Sequence, residues 1–109
     1  MKKINISGYL PLDEGCTRSL DLDEPAVFLV QFDGLLYAYL NRCPHLGIEL
    51  NWMPDQFLES GGDLIICSTH GALFKIDDGL CISGPCQGQA LTSLQIVQDT
   101  DSTFIVLPG

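Results

Sequence analysis

Positive charge is scarce in this chain. Five Lys and Arg residues stand against fourteen Asp and Glu, for a net charge of −9. A phosphate backbone is neutralised by Lys and Arg, so nucleic acid is not an expected partner. An anionic membrane surface is excluded for the same reason. Long apolar runs are missing too. The opening Met1-Lys-Lys-Ile-Asn-Ile-Ser-Gly8 has the lysines of a signal peptide but no apolar stretch behind them. No run approaches the length of a membrane helix, and a cytoplasmic location is the expectation. There is no long helical period, repeat, linker or low-complexity tract. Histidine occurs only twice, at positions 45 and 70. The five cysteines are an odd number without an export signal, which argues against a disulfide framework.

What is present suits one small globular domain over residues 1–109, with 46% apolar and 17% charged residues. The pattern reads as all-β. Segments 26–32 and 35–40 flank Asp33-Gly34, and two apolar runs around Asp-Gly predict a hairpin with a type I′ turn. Asp78-Gly79 predicts a second turn after a strand at 72–76. Further strands are expected at 2–6, 64–67, 93–98 and 103–107, and a short helical turn at 54–59. Many short strands with Gly and Pro turns favour a sandwich or barrel. The acidic stretch 21–24 reads as a solvated loop.

Both histidines fall in short loops that also carry a cysteine: Cys43-Pro-His45-Leu-Gly47 and Cys67-Ser-Thr-His70-Gly71. Each loop offers one thiolate and one imidazole. A Cys2His2 zinc site is one reading, since zinc takes both ligand types. Zinc fingers more often pair Cys with Cys and His with His, however. Core cysteines with satisfied histidines and no metal are a further reading.

The two loops, followed by Gly84-Pro85, resemble the Rieske domain, whose pattern is Cys-x-His, a gap, then Cys-x-x-His. The resemblance implies one 2Fe–2S cluster, with Cys43 and Cys67 on a buried iron and His45 and His70 on an outer one. It implies an antiparallel β-sandwich base, residues 1–40 and 88–109, and a small cluster-binding lobe of two ligand hairpin loops, residues 41–87. Backbone amides of Leu46, Ile48 and Ala72 would approach the cluster sulfurs, with Gly47 and Gly71 giving access. Gly84-Pro85-Cys86 would form a proline loop over the cluster. The charge logic agrees: two ferric irons, two sulfides, two thiolates and two neutral imidazoles sum to zero. A four-thiolate set would be a dianion, far costlier to bury.

Two departures from the respiratory type of this family stand out. Its extra loop cysteines are replaced by Ile48 and Thr69, so its disulfide cannot form. Its Ser and Tyr hydroxyl donors to the sulfurs are replaced by Ala72 and Phe74. A hydrogen bond to a charged group is worth about 1.5–3 kcal/mol, or roughly 65–130 mV for one electron. Losing two donors points to the low end of the Rieske range, near about −150 mV.

The resemblance implies a soluble one-electron carrier between a flavin-containing reductase and a terminal oxygenase, rather than an enzyme. A mononuclear iron site needs two further histidines, and both histidines are already used. The alternatives are a small subunit of a nitrite-reductase-like complex and a redox-sensing module. The acidic surface suits a partner with a basic docking face. The interval 46–66, with Trp52, Met53, Pro54, Phe57 and Leu58, reads as a loop packing its aromatics under the cluster lobe. Cys81 and Cys86 flank Ile-Ser-Gly-Pro and could approach each other, with packing the expected role of both. Cys16 reads as a lone thiol.

Overall fold

A computed structural model describes residues 2–20, 26–44, 50, 56–59, 61–67 and 71–107. Among these the regular elements are strands and one 3₁₀ turn, Ser7–Tyr9. The strands are β1 (Lys2–Asn5), β2 (Thr17–Ser19), β3 (Val27–Phe32), β4 (Leu35–Leu40), β5 (Leu64–Ile66), β6 (Leu73–Lys75), β7 (Cys81–Ser83), β8 (Gln95–Gln98) and β9 (Thr103–Leu107). They form three antiparallel three-stranded sheets, ordered β1-β9-β8, β2-β3-β4 and β5-β6-β7.

The β3–β4 hairpin organises the rest. Asp33 (φ 54°) and Gly34 (φ 77°) both take positive φ at the turn, as a type I′ turn requires. The register pairs Val27 with Leu40 and Phe32 with Leu35. The Glu14 carboxylate, from outside the hairpin, accepts the amides of both Asp33 and Gly34. Those two turn donors are therefore satisfied by a fixed anion rather than by water.

Residues Val27, Phe28, Leu29 and Val30 are all buried, which a one-sided sheet would not require. The cause is that two cores use opposite faces of β3, since successive side chains alternate. Val27 and Leu29, with Ala38 on β4, pack with Ile6, Leu20, Leu94, Ile105 and Leu107. Phe28 and Val30, with Tyr39, pack with Phe57, Ile65, Phe74, Leu91 and the cysteines. The β2-β3-β4 sheet thus lies between a core shared with β1-β9-β8 and a core shared with β5-β6-β7. Backbone bonds from Leu40 N to Thr92 O (2.9 Å) and from Leu94 N to Ala38 O (2.8 Å) join β4 to the approach of β8.

The sequence reading omitted β2 and β7, each three residues long. It also placed a helical turn at 54–59. Residues 51–55 lie outside the described set, but 56–59 are extended rather than helical. Leu58 bridges Ile65, Ile66 N donates to Phe57 O (2.9 Å), and Glu59 N donates to Leu64 O (2.9 Å). The Phe57 ring stacks on Phe28, with centroids 4.1 Å apart and 4° between planes. Aromatic packing onto the central sheet and backbone pairing with β5 together outweigh a local helical preference. The acidic stretch 21–24 lies outside the described residues.

Tyr39 ties the hairpin to the second core. Its buried hydroxyl donates to the Ile76 carbonyl, and its ring leaves little room at Gly79, where an added Cβ would come 2.9 Å from Tyr39 Cε1. Burial, and then the nearby carboxylates of Asp78 and Asp77, raise the phenol above its ordinary range. A raised folded-state value means that this stabilisation is complete below about pH 10, the free phenol's value. It is lost as pH rises beyond that point towards the folded-state value. Unfolding by urea between pH 8 and 11 should therefore show wild type losing more stability above about pH 10 than Tyr39→Phe. At neutral pH the variant should be weaker by about 1–3 kcal/mol, through the orphaned Ile76 carbonyl. Parallel stability curves for the two proteins would contradict this role.

Candidate metal centre

Cys43 and Cys67 follow strands of different sheets and enter the same buried core. Cys43 follows β4 by three residues, and Cys67 directly follows β5. Both are 0% exposed, and both belong to the core that holds Phe28, Phe74, Cys81 and Cys86.

Each cysteine sits at a segment whose described ends are fastened. The buried Asn41 side chain accepts the Leu50 amide through Oδ1 at 2.8 Å, which joins the chain on either side of 45–49. Around the second cysteine, Cys67 N donates to Ala72 O (2.9 Å) and Gly71 N donates to Cys67 O (2.7 Å). Gly71 has φ 70°, a left-handed conformation that closes this turn without side-chain strain. His45 and His70, with Leu46, Gly47, Ile48, Trp52, Met53, Pro54 and Thr69, lie outside the described residues. Among the described residues no group of three Cys, His, Asp or Glu is arranged to hold a metal ion.

The Gly84-Pro85 turn reaches the second of these segments. Gly84 has φ 100°, and a Cβ added there would lie 2.8 Å from Ala72 Cα and 3.1 Å from Ala72 Cβ. Backbone thus meets backbone with no space for a methyl group. Ala72 and Phe74 are both fully buried in the core that contains Cys43 and Cys67. These are the positions where the sequence comparison notes missing hydroxyls.

Two more sulfurs complete the lining. Cys86 Sγ donates to Cys81 Sγ at 3.0 Å, and Cys81 Sγ donates to the Ser83 carbonyl at 3.2 Å. Cys86 also interacts with the Cys43 thiol. Burial, then Cys81, then Cys43 push the Cys86 thiol up to about 12, since each disfavours a thiolate there. Sequence reasoning allowed Cys81 and Cys86 to approach but gave no sign of the contact with Cys43. It also missed Asn41, because a lone Asn after a strand carries no recognisable pattern. Cys16 is exposed.

The donor chemistry fits an iron–sulfur group. Two thiols with no water contact are brought into one apolar core. A core of that kind tolerates an electrically neutral cofactor and penalises a dianionic one.

Comparison with known proteins bears on the family and the fold. The family description Rieske [2Fe-2S] domain matches residues 4–100. No curated protein matches the chain. Among solved structures, the ferredoxin of carbazole 1,9a-dioxygenase from Nocardioides aromaticivorans IC177 is similar at 22% identity. Coverage is 86% of each chain, with a TM-score of 0.64. A chain from a complex of reduced oxygenase and oxidised ferredoxin of carbazole 1,9a-dioxygenase gives 18% identity. It is matched over 94% of this chain and 91% of its own length, at a TM-score of 0.69. The terminal oxygenase of carbazole 1,9a-dioxygenase from Novosphingobium sp. KA1 gives 20% identity and a TM-score of 0.74, over 98% of this chain but only 30% of the oxygenase chain.

The close approach at Gly84 makes a controlled test. Gly88 also has positive φ (93°), but an added Cβ there meets nothing within 4 Å. Gly88→Ala carries backbone strain alone, whereas Gly84→Ala carries strain and a collision with Ala72. Urea unfolding should show Gly84→Ala less stable than Gly88→Ala by about 1–3 kcal/mol. Equal losses would mean that the turn does not press on Ala72.

By the extent of the family match and the convergence of its two thiols, the chain belongs to the Rieske family, whose cofactor is a 2Fe–2S cluster.

Proposed function

We propose that this protein is a soluble one-electron carrier. In this reading Cys43, His45, Cys67 and His70 hold the cluster, within a lobe spanning 41–87 set on a base of 1–40 and 88–109. When bound, the 2Fe–2S cluster supplies a one-electron couple. Cys43 and Cys67 anchor it from the apolar side, where water is excluded. Gly71 and Ala72 present backbone near the second cysteine, and the Gly84-Pro85 turn shields that side from solvent. The proposed role asks for no catalytic residue.

The observation that carries the reading is the joint burial of Cys43 and Cys67 in one core, with the Gly84 turn seated on Ala72. The similar structures add a direction for the electron, because they are a ferredoxin and a complex of ferredoxin with an oxygenase. A terminal oxygenase is therefore the proposed acceptor, and a flavin-containing reductase the proposed donor. The net charge of −9 favours partners with basic docking faces, since complementary charge steers encounter and fixes orientation. No helix among the described residues is long and apolar enough to cross a membrane, and a cytoplasmic location accords with the odd cysteine count.

Two measurements test the reading. The purified protein should contain iron and sulfide in equal amounts. Its reduced form should give the electron paramagnetic resonance signal of mixed Cys and His ligation. A colourless protein with stoichiometric zinc would overturn the proposal. Phe74→Tyr places a hydroxyl in the cysteine-lined core and should raise the midpoint potential by roughly 65–130 mV, the worth of one hydrogen bond to a charged sulfur. An unchanged potential, with the hydroxyl seen on a sulfur, would remove the argument for a low-potential cluster.

A further inference from the structure

The pair Cys81 and Cys86 is not needed to hold the cluster, yet its geometry is specific. The sulfurs lie 3.0 Å apart, and the residues are only 2% and 1% exposed. The chain between and after them is exposed at 82–85 and 87–90. Two buried thiols thus lie directly beneath a solvent-facing ribbon.

Three features hold the pair together. First, β7 carries a bulge: Leu73 pairs with Ser83 and Phe74 with Cys81, so Ile82 is the extra residue. A bulge re-aims neighbouring side chains, and here Cys81 turns inward while Ile82 is 41% exposed. Second, the loop is closed at its base. Cys81 N donates to Gln89 O (2.8 Å) and Gly88 N donates to Cys81 O (3.3 Å). Third, within the loop, Gln89 N donates to Cys86 O (2.9 Å) and Gln87 N to Gly84 O (3.3 Å). The entropy of bringing the two sulfurs together has already been lost in folding, so a bond between them requires only a local adjustment.

We propose that Cys81 and Cys86 are a dithiol–disulfide site, closed by exchange with a low-molecular-weight disulfide and reopened by thiols. The exchange is balanced. One protein thiolate attacks the small disulfide and releases one small thiol. The second protein thiolate then attacks the mixed disulfide and releases the other. The protein loses two electrons and two protons, and one small disulfide becomes two small thiols. Both thiols are covered in the closed loop, so reaction follows opening of the exposed ribbon.

The test uses the cluster-loaded protein in a Cys16→Ser background, because exposed Cys16 would otherwise capture the reagent. After incubation with oxidised glutathione, alkylation and non-reducing peptide mapping should show Cys81 joined to Cys86, with the mass of two hydrogens lost. Dithiothreitol should reverse the link. Cys81→Ser and Cys86→Ser should each abolish it. Both cysteines remaining alkylatable after treatment, or Cys86 joined to Cys43 instead, would overturn the proposal. Iron and sulfide content measured on the same sample reads failure of the cluster assignment separately from failure of the link.

Discussion

Burial of the β3–β4 hairpin on both faces is the constraint on which the arrangement rests. A two-sided strand must be apolar at every position, and Val27, Phe28, Leu29 and Val30 meet that demand. The alternation of side chains then assigns Val27 and Leu29 to one core and Phe28 and Val30 to the other. A shift of register by one residue would exchange the two sets. Phe28 would leave its stack with Phe57, and the extended segment 56–59 would lose its anchor beside β5. Because Cys67 directly follows β5 and Cys43 follows β4, the same shift would separate the two thiols. The packing of the β3–β4 hairpin therefore bears directly on where Cys43, three residues beyond β4, enters the second core.

Electrostatics divides the molecule in a related way. None of the described acidic residues is buried, and the one buried polar residue among those described is Asn41, which is neutral. An interior so intolerant of charge suits a cofactor that is neutral when oxidised and acquires one negative charge on reduction. It would penalise a four-thiolate cluster, which starts at minus two. The low charge of the centre is compatible with the acidic surface because the described acidic side chains stay in contact with solvent.

The sequence made the hairpin legible because Asp33-Gly34 is a strong local signal and its flanking apolar runs are long enough to show a pattern. The edges at β4 and β9 were legible for the same reason. The strands β2 and β7 were not, since three residues show no periodicity and their pairing comes from neighbours distant in the chain. The expected helical turn failed at 56–59 because Phe57 answers to Phe28 and Ile66, not to its own segment. At the centre, the cysteine–histidine loops stood out by composition, and the structure brings their two cysteines into one core. The Asn41 clasp, the Glu14 carboxylate on the Asp33-Gly34 turn and the Cys86–Cys43 contact had no sequence signal. Each joins a single side chain to a site that only the folded chain creates.

The bulge at Ile82 connects these levels. Had β7 paired regularly with β6, the residue facing Leu73 would be Ile82 rather than Ser83, and the turn beyond it would begin one residue earlier. Gly84 would then miss its seat on Ala72, and the space beside that residue would admit water. One inserted residue in a short edge strand thus sets two things at once. It determines which sulfur faces inward at position 81, and it determines where the Gly84-Pro85 turn lands. Water near a cluster sulfur favours the reduced, more negative state and its absence disfavours it. The register of β7 therefore acts on the electron affinity of the centre through shape, without supplying a ligand.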